Sequence, residues 1–129
     1  RDLVRSRGLG DVYKRQVVVT SNHYQRIGEF LDGGNEDNLY RDIIVEEDVW
    51  IGINVILLSG ARIGRGAIIG AGAVVREFIP PYAVVIGNPA KVIKFKWEIA
   101  KIMEHERLLY PENKCFTKEQ LEYYRNSYK

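Results

Sequence analysis

The chain is poor in the residues that make covalent or metal-held scaffolds: its 129 residues include one cysteine, one methionine and two histidines. A lone Cys115 closes no internal disulfide, and nothing around it has metal-ligand spacing or a nucleophile's setting. It reads as a buried or incidental thiol. The longest apolar runs are a handful of residues, far short of the roughly 20 a membrane-spanning helix needs. The amino end is basic, yet no apolar stretch of a secretory leader follows it. These shortages lead to the expectation of a cytoplasmic chain with no membrane span and no metal.

An excess of positive charge is also missing once its position is considered. The formal charge is +2, but five of the nineteen basic residues and two of the seventeen acidic ones lie in residues 1–16. The remainder holds fourteen basic and fifteen acidic residues, a net of −1. A charge confined to one short end segment gives no case for nucleic-acid binding. That segment, RDLVRSRGLGDVYKRQ, begins without Met, has no amphipathic period and resembles translated adapter-type stretches at the ends of metagenomic reading frames. It is expected to be non-native or disordered, and the domain after it to be truncated at its amino end.

What is present in abundance is a period of six. From Val45, the first residues of successive hexads are Val45, Ile51, Leu57, Ile63, Ile69 and Val75, all branched aliphatics. The fourth are Asp48, Asn54, Gly60, Gly66, Gly72 and Phe78; five of these tolerate positive φ. The fifth are Val49, Val55, Ala61, Ala67, Ala73 and Ile79, apolar and mostly small. A short strand thus sends one large side chain inward, then turns a corner at a residue suited to left-handed geometry. Three such strands make a coil of eighteen residues, which should stack Val45 on Ile63, Ile51 on Ile69 and Leu57 on Val75. A helix is excluded because six residues do not return to one face every 3.6.

The stretch VEEDVWIGINVILLSGARIGRGAIIGAGAVVREFIPPYAVVIGNPAKVIK, with its terminator Ile79-Pro80-Pro81-Tyr82-Ala83 and Gly87-Asn88-Pro89-Ala90-Lys91-Val92-Ile93, resembles the hexapeptide-repeat acyltransferase superfamily. The resemblance covers residues 17–94 and implies an all-β solenoid, a left-handed parallel β-helix. Residues 24–42 break the hexad count around Gly33-Gly34-Asn35-Glu36-Asp37-Asn38, a polar turn-forming cluster expected to be an extruded loop. Beyond Lys94 the period changes. Phe95–Tyr110 is expected to be helical, Pro111 ends it, and Thr117-Lys118-Glu119-Gln120 reads as a capping box opening a second helix. Residues 95–129 form this helical tail, whose IMEHERLLYPEN resembles the tails of surface-polysaccharide O-acetyltransferases.

The resemblance implies transfer of acetyl from acetyl-coenzyme A to a saccharide hydroxyl in a homotrimer. A base must take the hydroxyl proton, and an imidazole titrating near 6.5 suits that task. Of the two histidines, His23 precedes the loop, where the family keeps its catalytic His; His105, between Glu104 and Glu106, reads as solvated or capping. Asp42, Glu46 or a backbone carbonyl could orient His23. The resemblance places coenzyme binding at Trp50, Ala71, Arg76, Lys91 and Lys94. A Thr-Lys pair is common where Arg76-Glu77 stand. A γ-type carbonic anhydrase on the same fold would need three histidines on zinc, which this chain lacks. A non-catalytic oligomerisation module, or an acceptor that is an amino sugar or antibiotic, stays open.

Overall fold

In the computed structural model, residues 42–128 are described, with Ile27–Gly28 and the backbone of four short strands before them. Those strands are β1 (Val4–Ser6), β2 (Val17–Val18), β3 (Ser21–Asn22) and β4 (Leu39–Tyr40). Then follow β5 (Ile43–Val45), β6 (Trp50–Ile51), β7 (Ile56–Leu57), β8 (Arg62–Ile63), β9 (Ile68–Ile69) and β10 (Val74–Val75). β11 (Phe78–Ile79), β12 (Ala83–Ile86) and β13 (Lys91–Phe95) complete the strands. The tail holds α1 (Ile99–Leu109), a short 3-10 turn (Glu112–Lys114) and α2 (Lys118–Asn126).

From β5 to β12 the strands stack in parallel, each paired with the one three places along. Val45 pairs with Ile63, Ile51 with Ile69 and Leu57 with Val75, the eighteen-residue register expected from the hexads. Bonds such as Gly52 N–H to the Ile69 carbonyl (2.8 Å) and Leu58 N–H to the Val75 carbonyl (2.8 Å) run from turn to turn. β1 pairs in parallel with β5, and β2 with β7. β3 and β4 pair antiparallel, joining the two ends of the segment between them.

The three sequence columns have the expected structural meaning. All of Val45, Ile51, Leu57, Ile63, Ile69 and Val75 are buried, as are Val49, Val55, Ala61, Ala67 and Ala73. Asp48, Asn54, Gly60, Gly66 and Gly72 all have positive φ. At a corner such as Gly64-Arg65-Gly66-Ala67, the Ala67 N–H closes on the Gly64 carbonyl at 3.2 Å. The third residue of such a turn must be left-handed, which selects Gly, Asn or Asp.

The sixth hexad departs from the expectation. Ile79 lies beside Ile63 and Phe78 beside Arg62, so this corner is only Arg76-Glu77 and Phe78 is a strand residue. The step from Val75 to the next inward aliphatic is four residues here. Beyond it, Pro80-Pro81-Tyr82-Ala83 makes a new corner with Tyr82 at φ 63°. β12 and β13 then form an antiparallel pair, so the chain is extended through Phe95 and α1 begins only at Ile99. The capping box of α2 is formed, with Thr117 Oγ1 accepting from the Gln120 N–H and Gln120 Oε1 from the Thr117 N–H.

Tyr82 shows how tightly the last corner is made. A bulky residue at positive φ is strained, yet Tyr82 is fully buried and its ring lies over Gly66 one turn earlier. A Cβ on Gly66 would sit 2.4 Å from Tyr82 Cε1, whereas one on Gly72 would meet nothing within 4 Å. Both glycines have nearly the same φ, 74° and 75°. Gly72→Ala should therefore cost only backbone strain, about 1 kcal/mol. Gly66→Ala adds overpacking and should cost about 2–4 kcal/mol. Urea unfolding of the two variants checks this; equal losses would mean the Tyr82 contact is unimportant.

Candidate functional site

The predicted site residues fall in different places. His23 lies outside the described residues. Trp50, on β6, is half exposed beside the buried Ile51. Ala71 is exposed at the corner before Gly72, and its backbone N lies 2.7 Å from where a Cβ on Gly52 would stand. Arg76 and Lys91 come together on one cleft of about 370 Å³, with Glu77, Pro89, Ala90 and Tyr128. The Tyr128 hydroxyl donates to the Phe78 carbonyl at 2.8 Å, so the tail borders this cleft. Lys94 faces a separate groove.

Strand register connects two of these residues in a way spacing alone does not. Trp50 pairs with Ile68, Ile68 with Val84, and Val84 with Lys94. Ile69 and Val85, next to the middle pair, are fully buried, so Ile68 and Val84 stand on the outward side of the sheet. The row carries an exposed aromatic at one end, two aliphatics, and a cation at the other. Three strand steps make it about 14 Å long.

A polar cluster not expected from the sequence centres on α1. Glu106 on α1 is wholly buried. Its Oε2 accepts from the Tyr82 hydroxyl at 2.6 Å and from Arg65 Nη1 at 2.9 Å, and its Oε1 from the Phe116 N–H at 2.7 Å. Arg65 also donates from Nε to Glu47, and its guanidinium lies over the Tyr110 ring at 4.3 Å. A buried carboxylate is tolerable only when paired and hydrogen-bonded, and this one is both. One signal was available: Glu106 stands four residues after Ile102, on the same helix face, and Ile102 is buried. His105 caps no helix and is half-buried rather than fully solvated. Its ring packs on Trp97 (centroids 4.9 Å apart) and edge-on to Tyr82, with Nε2 3.8 Å from Asp48 Oδ2.

Among the described residues no group of three or more His, Cys, Asp or Glu is placed to hold a metal. No helix there is long and apolar enough to cross a membrane.

Residues 42–77 match the family described as bacterial transferase hexapeptide (six repeats). A 2,3,4,5-tetrahydropyridine-2,6-dicarboxylate N-acetyltransferase of Staphylococcus aureus is 47% identical over 72 residues, 56% of this chain. The chain spans 30% of the length of that curated relative. A hexapeptide-repeat acetyltransferase of Vibrio cholerae, solved with acetyl-coenzyme A, superposes with a TM-score of 0.56 at 28% identity, over 64% of this chain and 44% of that one. A maltose O-acetyltransferase of Clostridium difficile gives 0.55 at 34% identity, over 64% and 43%.

The Tyr82–Glu106 bond sets a pH dependence. Burial, and then the hydrogen bond to Glu106, push the Tyr82 phenol well above its ordinary range. The unfolded chain releases this proton above pH ~10, while the native state retains it. Stability is therefore full below that pH and falls as pH rises past it. Tyr110 and Tyr128, also raised by burial, act in the same sense, and Lys96, lowered by burial, in the opposite one. Tyr82→Phe should cost about 1 kcal/mol at neutral pH and flatten the decline. Thermal midpoints from pH 8 to about 11 test this; parallel curves for the two proteins would refute it.

Proposed function

We propose that this chain is part of an acetyltransferase that moves an acetyl group from acetyl-coenzyme A to a saccharide hydroxyl. Its turns wind left-handed, residues 17–94 are the catalytic body and 95–129 the helical tail. The reading is carried by one observation: the eighteen-residue stack, built on a bacterial transferase repeat, sets Trp50 and Lys94 at the two ends of one outward row. The solved acetyl-coenzyme A complex of a similar protein supports this donor.

His23 takes the acceptor hydroxyl proton as the oxygen attacks the thioester carbonyl, and the coenzyme leaves as its thiol once that proton is returned. Backbone N–H groups along the corners steady the tetrahedral oxyanion. No acyl-enzyme forms, so donor and acceptor are held together. Trp50 borders the acetyl end, the bare edge at Ala71 admits the pantetheine arm, and Arg76, Lys91 and Lys94 serve the phosphates. Three chains pack side by side with each site between neighbours, an arrangement suited to flat sheet faces. The donor and the single unpaired cysteine support a cytoplasmic location.

An amine acceptor is the second reading, favoured by the 47% identity to an N-acetyltransferase. Thiol release from acetyl-coenzyme A across sugar, amino-sugar and antibiotic acceptors separates the two. The expected result is release with a sugar hydroxyl, falling about 10²–10⁴-fold in His23→Ala. Release with amines only would change the acceptor class. A folded chain that gives none would be a structural module.

A further inference from the structure

We propose that the junction between the tail and the β5–β8–β11 sheet binds one unit of a neutral saccharide. The site goes beyond the transfer reading, since it lies on a different sheet from the Trp50–Lys94 row and shares no residue with it. Register sets its floor. Phe78 pairs with Arg62 and Arg62 with Ile44, beside the buried Ile79, Ile63 and Val45, so these three stand outward. The tail lays α2 against this row: the Tyr124 ring lies 5.7 Å from that of Phe78, and the Tyr128 hydroxyl donates to the Phe78 carbonyl. Where Tyr124 meets the row there is a cleft of about 180 Å³, room for a single ring-sized ligand.

The lining selects the class of ligand. Its charged residues are Glu46, Glu47, Arg62 and Arg65, two of each sign, so the cleft draws neither a phosphate nor a cation. Its rings are already engaged: Phe78 and Phe116 both pack on Tyr124, and Arg65 lies over Phe116 at 4.7 Å. They make a fixed apolar wall and not a platform on which a planar base would stack. Arg65 and Glu47 are bound to each other, and Arg65 to Glu106, so neither is free to turn toward a ligand. The available polar groups stand at the rim. Arg62 is exposed, 3.5 Å from Glu46, and keeps N–H donors beyond that contact. The Tyr124 hydroxyl has no hydrogen-bond partner among the described residues. The matching ligand lays C–H groups along the wall and sets uncharged hydroxyls, each donor and acceptor, at the rim. A sugar ring does both.

Saturation-transfer NMR titration of the whole chain tests this with glucose, N-acetylglucosamine and maltose, set against glucuronate, glucosamine and uridine diphosphate. Tyr124→Phe removes one hydroxyl and keeps the ring packing, and Arg62→Met removes the exposed guanidinium. Tyr123→Phe changes a neighbouring exposed tyrosine outside the cleft and serves as control. The expected result is binding of the neutral sugars, weakened about fivefold by each of the first two variants and unchanged in the third. Coenzyme A should bind all four proteins alike. Neutral sugars that bind all four equally sit elsewhere, and the proposal fails while the transfer reading stands. Any of the three charged ligands bound more tightly than the neutral sugars, with the same loss in the first two variants, overturns the ligand class and the proposal with it. A folded parent that binds no sugar overturns it too, whatever thiol it releases from acetyl-coenzyme A.

Discussion

Each turn of this chain is completed by the next. A two-residue strand satisfies its peptide groups only against a strand of the neighbouring turn, so a turn by itself closes little more than its corner bonds. This requirement fixes the remaining geometry. The inward aliphatics must fall in columns, because Val45, Ile63 and Ile79 occupy one position in three successive turns. The corners must fall in columns too, and those at Asp48, Asn54, Gly60, Gly66, Gly72 and Tyr82 are each turned at a left-handed residue, while the shorter Arg76-Glu77 corner has none. A corner residue is therefore constrained by its own φ and also by what the following turn lays over it. Gly66 under Tyr82 is constrained in both ways and Gly72 only in the first.

The tail adds a bracing that the repeat does not supply. Glu106 alone accepts from Tyr82 in the last turn and from Arg65 in the turn before, and Arg65 extends the chain of contacts to Glu47 in the first. A carboxylate without those donors would be costly to bury. With them, α1 is fixed to three stacked corners at once. Phe116, whose N–H also bonds Glu106, carries the same bracing to the segment before α2.

The repeat was legible because its signals are local. A branched aliphatic, a residue tolerant of positive φ and a small residue recur at fixed offsets, so the eighteen-residue register follows from the sequence. The frame failed at Arg76-Glu77, where the corner shortens, and Phe78 in place of Gly, Asn or Asp was the visible sign. The β12–β13 pair was missed because the hexad count had ended and Phe95 was read into the helix. The Glu106 cluster was not legible as a cluster, since its members, from Arg65 to Phe116, lie 18 to 69 positions from Glu47 and meet only through the stack. The candidate site was legible in part. Arg76 and Lys91 share a cleft, while Trp50 and Lys94 are joined by register alone.

That last difference says what kind of surface the fold offers. In a protein whose site lies on loops, the spacing of contact residues depends on how those loops are held. Here the outward side chains of one sheet lie at strand spacing along the stack, so a row's length is set by backbone hydrogen bonds. Changing Ile68 or Val84 would alter the row's texture and leave its ends where they are. The two ends differ in chemistry: an aromatic at Trp50, and at Lys94 a cation beside helices that stand outside the repeat. The repeat thus fixes distance, and the appended tail, held by the buried Glu106 and by bonds from Arg125 and Tyr128, sets what stands beside the Lys94 end.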